Sequence, residues 1–305
     1  MAMPTGLREF LTSRRAAIDP ASVGLPGSLV PRRTPGLRRE DVAALAGVSV
    51  DYVARLEQGR VGVVSDQVLD ALSDALQLDE LERAHLRALV APKSRRPSRK
   101  RAVRAVARPS IRALIDQMPN PAMIQGPRME ILASNAAMRT LLTDWNAMPP
   151  AERNIARWLF LAPEARERYA DWEAVAATTV ASLRAAHDPR NPDEALERLV
   201  GELTLASPEF ARYWADYRLF KHTHGTKKFF HETVGAFTLN YDSLDIPDSG
   251  GQTLCAYTPD PGSPSEEKLR LLLSWAAQSP DGTSDDRAVP RERNDADGVS
   301  DRNLH

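Results

Sequence analysis

Two short apolar stripes, Val42, Leu45 and Ala46 and then Val53 and Leu56, are separated by Gly47 and Ser49. No other stretch of the chain constrains the fold as tightly. Gly47 falls where a helix must end in a left-handed residue, and Ser49 is placed to cap the helix that follows. Residues 37–60 (LRREDVAALAGVSVDYVARLEQGR) therefore read as two short helices joined by a tight turn, a helix-turn-helix whose second helix fits a major groove. A plain helical hairpin in a bundle shares that inner pattern, so the outward face decides between them. Arg38 and Arg39 open the first helix, where free amides and the helix dipole favour phosphate, and Arg55 and Arg60 lie on and just after the second. The segment reads as a DNA-binding module.

The neighbouring sequence extends it. Residues 7–18 form an amphipathic helix, and further helices are expected at 38–46, 49–57, 65–77 and 79–90, with Ser65 as a cap and Asp79 with Glu82 as a capping box. Pro and Gly breakers make 19–36 a loop. Residues 1–91 are thus one domain, 92–108 a basic linker, 109–278 a second domain and 279–305 a disordered tail. Charge follows the division: residues 1–107 carry 18 Lys and Arg against 12 Asp and Glu, a net of +6, and the rest carries −7 of an overall −1. A basic first third points to a polyanionic partner.

A length of 305 residues suits two domains. No run reaches the roughly 18 apolar residues of a membrane span, and MAMPTGLREF has no signal-peptide core, so a cytoplasmic protein without membrane contact is expected. The single cysteine, Cys255, excludes an internal disulfide framework and a Cys-based zinc site, and reads as a buried, inert thiol.

The second domain changes character. After a helix at 109–118, PAMIQGPRMEILASN reads as strand, Gly-Pro turn, strand, then a helix from Asn135. Residues 151–187 and 192–219 look helical; strands return at KKFFH, GAFTLNYDSL and QTLCAYT, and a last helix spans 264–277.

Residues 7–90 resemble the XRE-type, lambda-repressor-like five-helix DNA-binding domain. AGVSVDYVARLEQGR and SDQVLDALSDALQLDELERAHLRAL resemble one branch of it, the MmyB-like transcription regulators. The likeness continues through RNIARWLFL, DWEAVAATTVASLRA, GELTLASPEF, GTKKFFHETVGAFTLNYDSLDIP and YTPDPGSPSEEKLRLL. It implies an all-α DNA-binding domain followed by an α+β PAS-like domain, a small antiparallel sheet with helices over one face. It further implies a homodimeric, sequence-specific regulator of transcription that binds a double-stranded operator and senses a small hydrophobic ligand such as a fatty acid. Carried over by position, Ser49, Val50, Asp51 and Arg55 face bases and Arg39 touches phosphate; Tyr52 either packs on the sugar-phosphate backbone or closes the hairpin. Where relatives have a Gly-Pro-Arg-Pro-Ser-like run, this chain has Val61-Gly62-Val63-Val64-Ser65. A basic, proline-stiffened loop is lost there, which implies weaker, salt-sensitive DNA binding.

Met123, Ile131, Trp145, Trp158, Trp172, Phe210 and Trp214, with Met118, either line an apolar pocket or form an ordinary core; the resemblance favours the pocket. Asn135, Arg153 and Asn154 are candidates at its mouth, an arginine there being suited to a carboxylate. The alternative leaves Asn135 as a helix cap and Arg153 in a surface ion pair. Dimerisation or protein-partner binding alone is the other role open to this domain. His222, His224 and His231 invite a metal or catalytic reading, but no nucleophile or HExxH-like spacing accompanies them, so no catalytic residue, metal or cofactor is expected and the chain reads as a non-enzyme.

Overall fold

The computed structural model describes residues 5–25, 36–91, 106–188 and 192–278. Five helices make the first region: α1 (Thr5–Ala17), α2 (Arg39–Ala46), α3 (Val50–Glu57), α4 (Asp66–Ala75) and α5 (Glu80–Val90). Their ends have local chemical causes. Gly47 closes α2 at φ 64°, Ser49 Oγ accepts from the Tyr52 amide, and Ser65 Oγ accepts from that of Val68. Asp79 and Glu82 exchange both hydrogen bonds of the expected capping box. Phe10, Leu56, Leu72 and Leu86 are the fully buried centre of one core. Leu45, expected inside, is 39% exposed; α2 turns so that Val42, Ala43 and Ala46 face inward instead. The loop expected at 19–36 begins with a 3-10 turn at Pro20–Val23, capped by Asp19. Residues 26–35 of that loop, the linker cations from Lys93 to Arg104 and the expected disordered tail lie outside the described residues.

The second region starts with α6 (Pro109–Asp116), then β1 (Ala122–Gln125), β2 (Ile131–Ser134) and α7 (Ala136–Leu141). Next come α8 (Ile155–Leu161), α9 (Pro163–Arg168), α10 (Trp172–Ala186), α11 (Glu194–Ala206) and α12 (Pro208–Ala215). The chain ends in β3 (His224–His231), β4 (Gly235–Asp245), β5 (Thr253–Thr258) and α13 (Pro264–Gln278). The long helical stretches expected here are broken, because Pro163 and Pro208 stand at first helical positions and Asp171 caps a new start. The strands form one antiparallel sheet in the order β2-β1-β5-β4-β3, the expected PAS-like arrangement. Period-2 alternation sorts its side chains. Met123, Phe229, Phe237, Leu239, Tyr241, Cys255 and Tyr257 join the core shared with α8, α10 and α12. Ala122, Ile124 and Leu254 face the other way, onto Ile115 of α6, so this sheet is covered on both faces rather than one. Ala107 packs in that second layer and Gln252 donates to the Val106 carbonyl, so residues 106–108 belong to the domain and not to the linker.

The two regions share a seam. Tyr217 and Leu219, which follow α12, are buried in the core of the first region. The Tyr217 ring lies against Phe10 and His85, with centroids 5.8 and 6.2 Å away, and its hydroxyl donates to the Gly6 carbonyl at 3.1 Å. Ser13 and Arg14 of α1 donate to the carbonyls of Asp216 and Tyr217.

Candidate nucleic-acid interface and ligand site

The recognition helix α3 is held from beneath and open above. Beneath it, the buried Glu57 carboxylate accepts from Arg15 Nε at 3.2 Å and from Arg39 Nε at 2.7 Å, tying α3 to α1 and α2. Above it, Ser49, Val50, Asp51, Arg55 and Arg60 are exposed and Tyr52 is half-buried at the turn. Arg38 is exposed too, its amide donating to Asp41 Oδ2. All eight expected DNA-contact residues thus lie along or just beside α2 and α3, seven of them exposed, with two qualifications of role. The Ser49 hydroxyl is already used as the cap of α3, and Arg39, 45% exposed along its side chain, is anchored to Glu57. An anchored guanidinium with a free edge still suits phosphate, because its orientation is fixed in advance. Asp51 and Arg55 pair with each other at 3.0 Å. The pair is exposed and therefore weak, so Arg55 can exchange it for a guanine edge.

Replacing Arg55 by Ala should weaken binding to the preferred sequence by about 1–3 kcal/mol and blur selectivity at one base position. A titration against selected and scrambled duplexes checks this; equal losses on both would make Arg55 a phosphate contact.

The loop after α3 compensates for its missing prolines. Val61 and Val64 pack against the first-region core while Val63 is left exposed, so the turn is fixed by apolar anchors although its basic residue is absent.

In the second region the expected pocket residues separate into distinct roles. Met123, Ile131, Trp145, Trp158, Trp172 and Phe210 come together as one buried core. Two of the indoles are satisfied within it: Trp158 donates to Glu164 at 3.1 Å and Trp172 to the Leu159 carbonyl at 3.0 Å. Met118 sits instead in the layer behind the sheet, and Trp214 lies half-buried at the seam. The three expected mouth residues are occupied structurally. Asn135 is buried; its oxygen accepts from the amides of Ala122 and Met138, and its amide donates to the carbonyls of Ile115, Met118 and Asn120. Asn154 caps α8 and donates to the Arg128 carbonyl. Arg153 donates to the carbonyls of Met148 and Asn146 rather than to a carboxylate.

The histidines are apart in role. His222 stacks on Tyr241 at 4.0 Å and burial pushes its pKa down to about 3; His224 is exposed; His231, at the other end of β3, accepts from the Thr233 amide. Among the described residues no group of His, Cys, Asp and Glu has the arrangement of a metal site. Cys255 is buried as expected, and burial raises its thiol pKa.

One chemically active group escaped the sequence reading. Lys227 stands on the core side of β3, between Phe229 and Gly225 in the alternation. Its amine donates to the Tyr257 hydroxyl at 3.1 Å and lies 4.9–5.9 Å from the ring centres of Tyr169, Tyr241 and Tyr257. Among the described residues no Asp or Glu forms an ion pair with it, and desolvation lowers its pKa to about 8. The period-2 register of KKFFH carried the signal: with Phe229 inward, Lys227 must be inward as well.

Residues 9–86 match the family model of a helix-turn-helix domain, in agreement with the interface around α3. Residues 107–272 match that of the MmyB-like transcription regulator ligand binding domain, from the start of the layer behind the sheet into α13. No curated protein matches the chain. Among the described residues no helix is long and apolar enough to cross a membrane. With more than half its length matched by the second of these models, and the first domain in place before it, the chain belongs to the MmyB-like transcription regulators, DNA-binding proteins that carry a ligand-binding domain.

Proposed function

We propose that the chain is a sequence-specific, homodimeric regulator whose PAS-like domain takes a small hydrophobic acid of the fatty-acid kind and performs no catalysis. The observation that carries this reading is Lys227. A cation on the apolar side of a sheet, ringed by tyrosines and without an acid partner, is costly to keep charged. A ligand carboxylate beside it would supply the missing counter-charge, and an acyl chain suits the aromatic and aliphatic layer that surrounds it. Leu271 and Trp275 on α13, 53% and 60% exposed, offer an apolar surface for the second protomer. The ligand would act by binding the DNA-competent and DNA-incompetent states with different affinity.

Native mass spectrometry of the full chain after incubation with myristate tests the assignment. The expected result is a dimer carrying one fatty acid per protomer, with uptake reduced at least about tenfold in Lys227→Met. No adduct, or an adduct indifferent to Lys227→Met, would remove the assignment.

A further inference from the structure

The seam between the two regions encloses a cleft of about 830 Å³. That volume lies within the range of small-molecule sites. Four arginines line it, Arg8 and Arg14 from α1 and Arg184 and Arg218 from the second region, against two acids, Glu9 and Asp216. Arg14 is paired with Glu82, whereas Arg8, Arg184 and Arg218 form no ion pair among the described residues.

Arg184 is the unusual member. It is 95% buried, its guanidinium carbon lies 3.6 Å from the ring centre of Trp214 and 4.2 Å from that of Tyr217, and it donates to the Trp214 carbonyl. Contact with the two rings covers much of the guanidinium and leaves part of its edge for further bonds. On that edge Nε has no hydrogen-bond partner, and Arg14 Nε and His85 Nε2, at the same seam, are buried without partners as well. Burial lowers the pKa of Arg184 to about 10, opposed by Tyr217 and Glu9. Two of the arginines that line this cation-rich cleft, Arg14 and Arg184, therefore each carry a buried Nε without a partner.

We propose that this cleft binds a small molecule bearing an oxyanion, a carboxylate or a phosphate monoester, held by the edge of Arg184 together with Arg14, Arg8 and Arg218. The site is distinct from the sheet face around Lys227, which is given to a hydrophobic acid. Its position matters for output. Arg14 on the cleft side of α1 is followed by Arg15, which holds Glu57 at the end of the recognition helix. An anion that draws Arg14 and Arg184 together acts on α1, a helix that touches both the cleft and α3.

Titration calorimetry of the full chain with inorganic phosphate and, separately, succinate tests the site. Saturable binding of at least one is expected, weakened at least about tenfold in Arg184→Gln and measurably in Arg218→Gln, an exposed rim substitution that leaves the fold intact. Preference for phosphate assigns the ligand to phosphate monoesters, and preference for succinate to carboxylates. Lys227→Met should leave this binding unchanged even if it abolishes fatty-acid uptake, which separates the two sites. Absence of saturable binding by either anion, binding indifferent to both arginine substitutions, or binding lost in Lys227→Met would each overturn the proposal.

Discussion

Replacing Glu57 by Ala should cost the DNA-binding domain about 3–5 kcal/mol and abolish operator binding, although Glu57 is no expected base contact. The carboxylate is 3% exposed and accepts from two guanidiniums at once. Arg15 is itself largely buried, with Nη1 donating to the Leu37 carbonyl at 2.7 Å, so it cannot leave for solvent when its anion is removed. The result is a desolvated cation without a counter-charge, among the more damaging changes available to a small domain. Domains of this size have only about 5–15 kcal/mol of stability, so a loss on this scale leaves a fraction unfolded at physiological temperature. Glu57→Gln keeps shape and one acceptor and should lose roughly half as much. Urea denaturation of the full chain followed by circular dichroism reads both values. A change below about 1 kcal/mol for Glu57→Ala would show that the two arginines are already well solvated.

The first domain was legible in the sequence because its determinants are local. Caps at Ser49, Ser65 and Asp79 and the left-handed residue at Gly47 act within a turn of themselves, so helix limits fall within a residue or two of expectation. The Leu45 face was misread for a related reason: eight residues of helix give too few apolar positions to fix the rotation of α2. What could not be read was pairing across distance. Arg15, Arg39 and Glu57 are 18 to 42 residues apart, and nothing in any one position announces the triangle. In the second domain the strands lie where the sequence reading put them, but a tryptophan in a wall and a tryptophan in a core have the same sequence signature. Asn135 and Asn154 illustrate the same limit. Polar residues beside apolar runs suggested a pocket mouth, whereas the folded chain uses them to satisfy amides and carbonyls that would otherwise be buried unpaired.

Tyr217→Ala should release the DNA-binding domain from the ligand-binding domain while leaving each folded. Tyr217 is the principal knob at the seam: it is 2% exposed, touches Phe10 and His85, and bonds the Gly6 carbonyl across 211 positions. Its backbone is left-handed at φ 52°, a conformation that costs a non-glycine residue about 1–2 kcal/mol and is kept because the docked ring over-determines it. Deleting a buried aromatic ring removes about 3–5 kcal/mol. Much of that loss falls on the contact between domains, because the second region contributes few other apolar side chains to the first-region core, chiefly Leu219 and Ala185. Wild-type protein should therefore tumble as one body, and Tyr217→Ala as two, a difference read from the amide relaxation times of the two domains. Tyr217→Phe keeps the ring and loses one hydrogen bond, so it should weaken the seam by only about 1 kcal/mol and retain joint tumbling. If the alanine variant still tumbles as one body, Arg14, Ser13 and the backbone carbonyls they hold are sufficient for docking. If the domains separate, operator affinity measured with and without ligand in the same variant shows whether regulation passes through this contact, because a ligand can shift DNA binding only through a structure that both domains share.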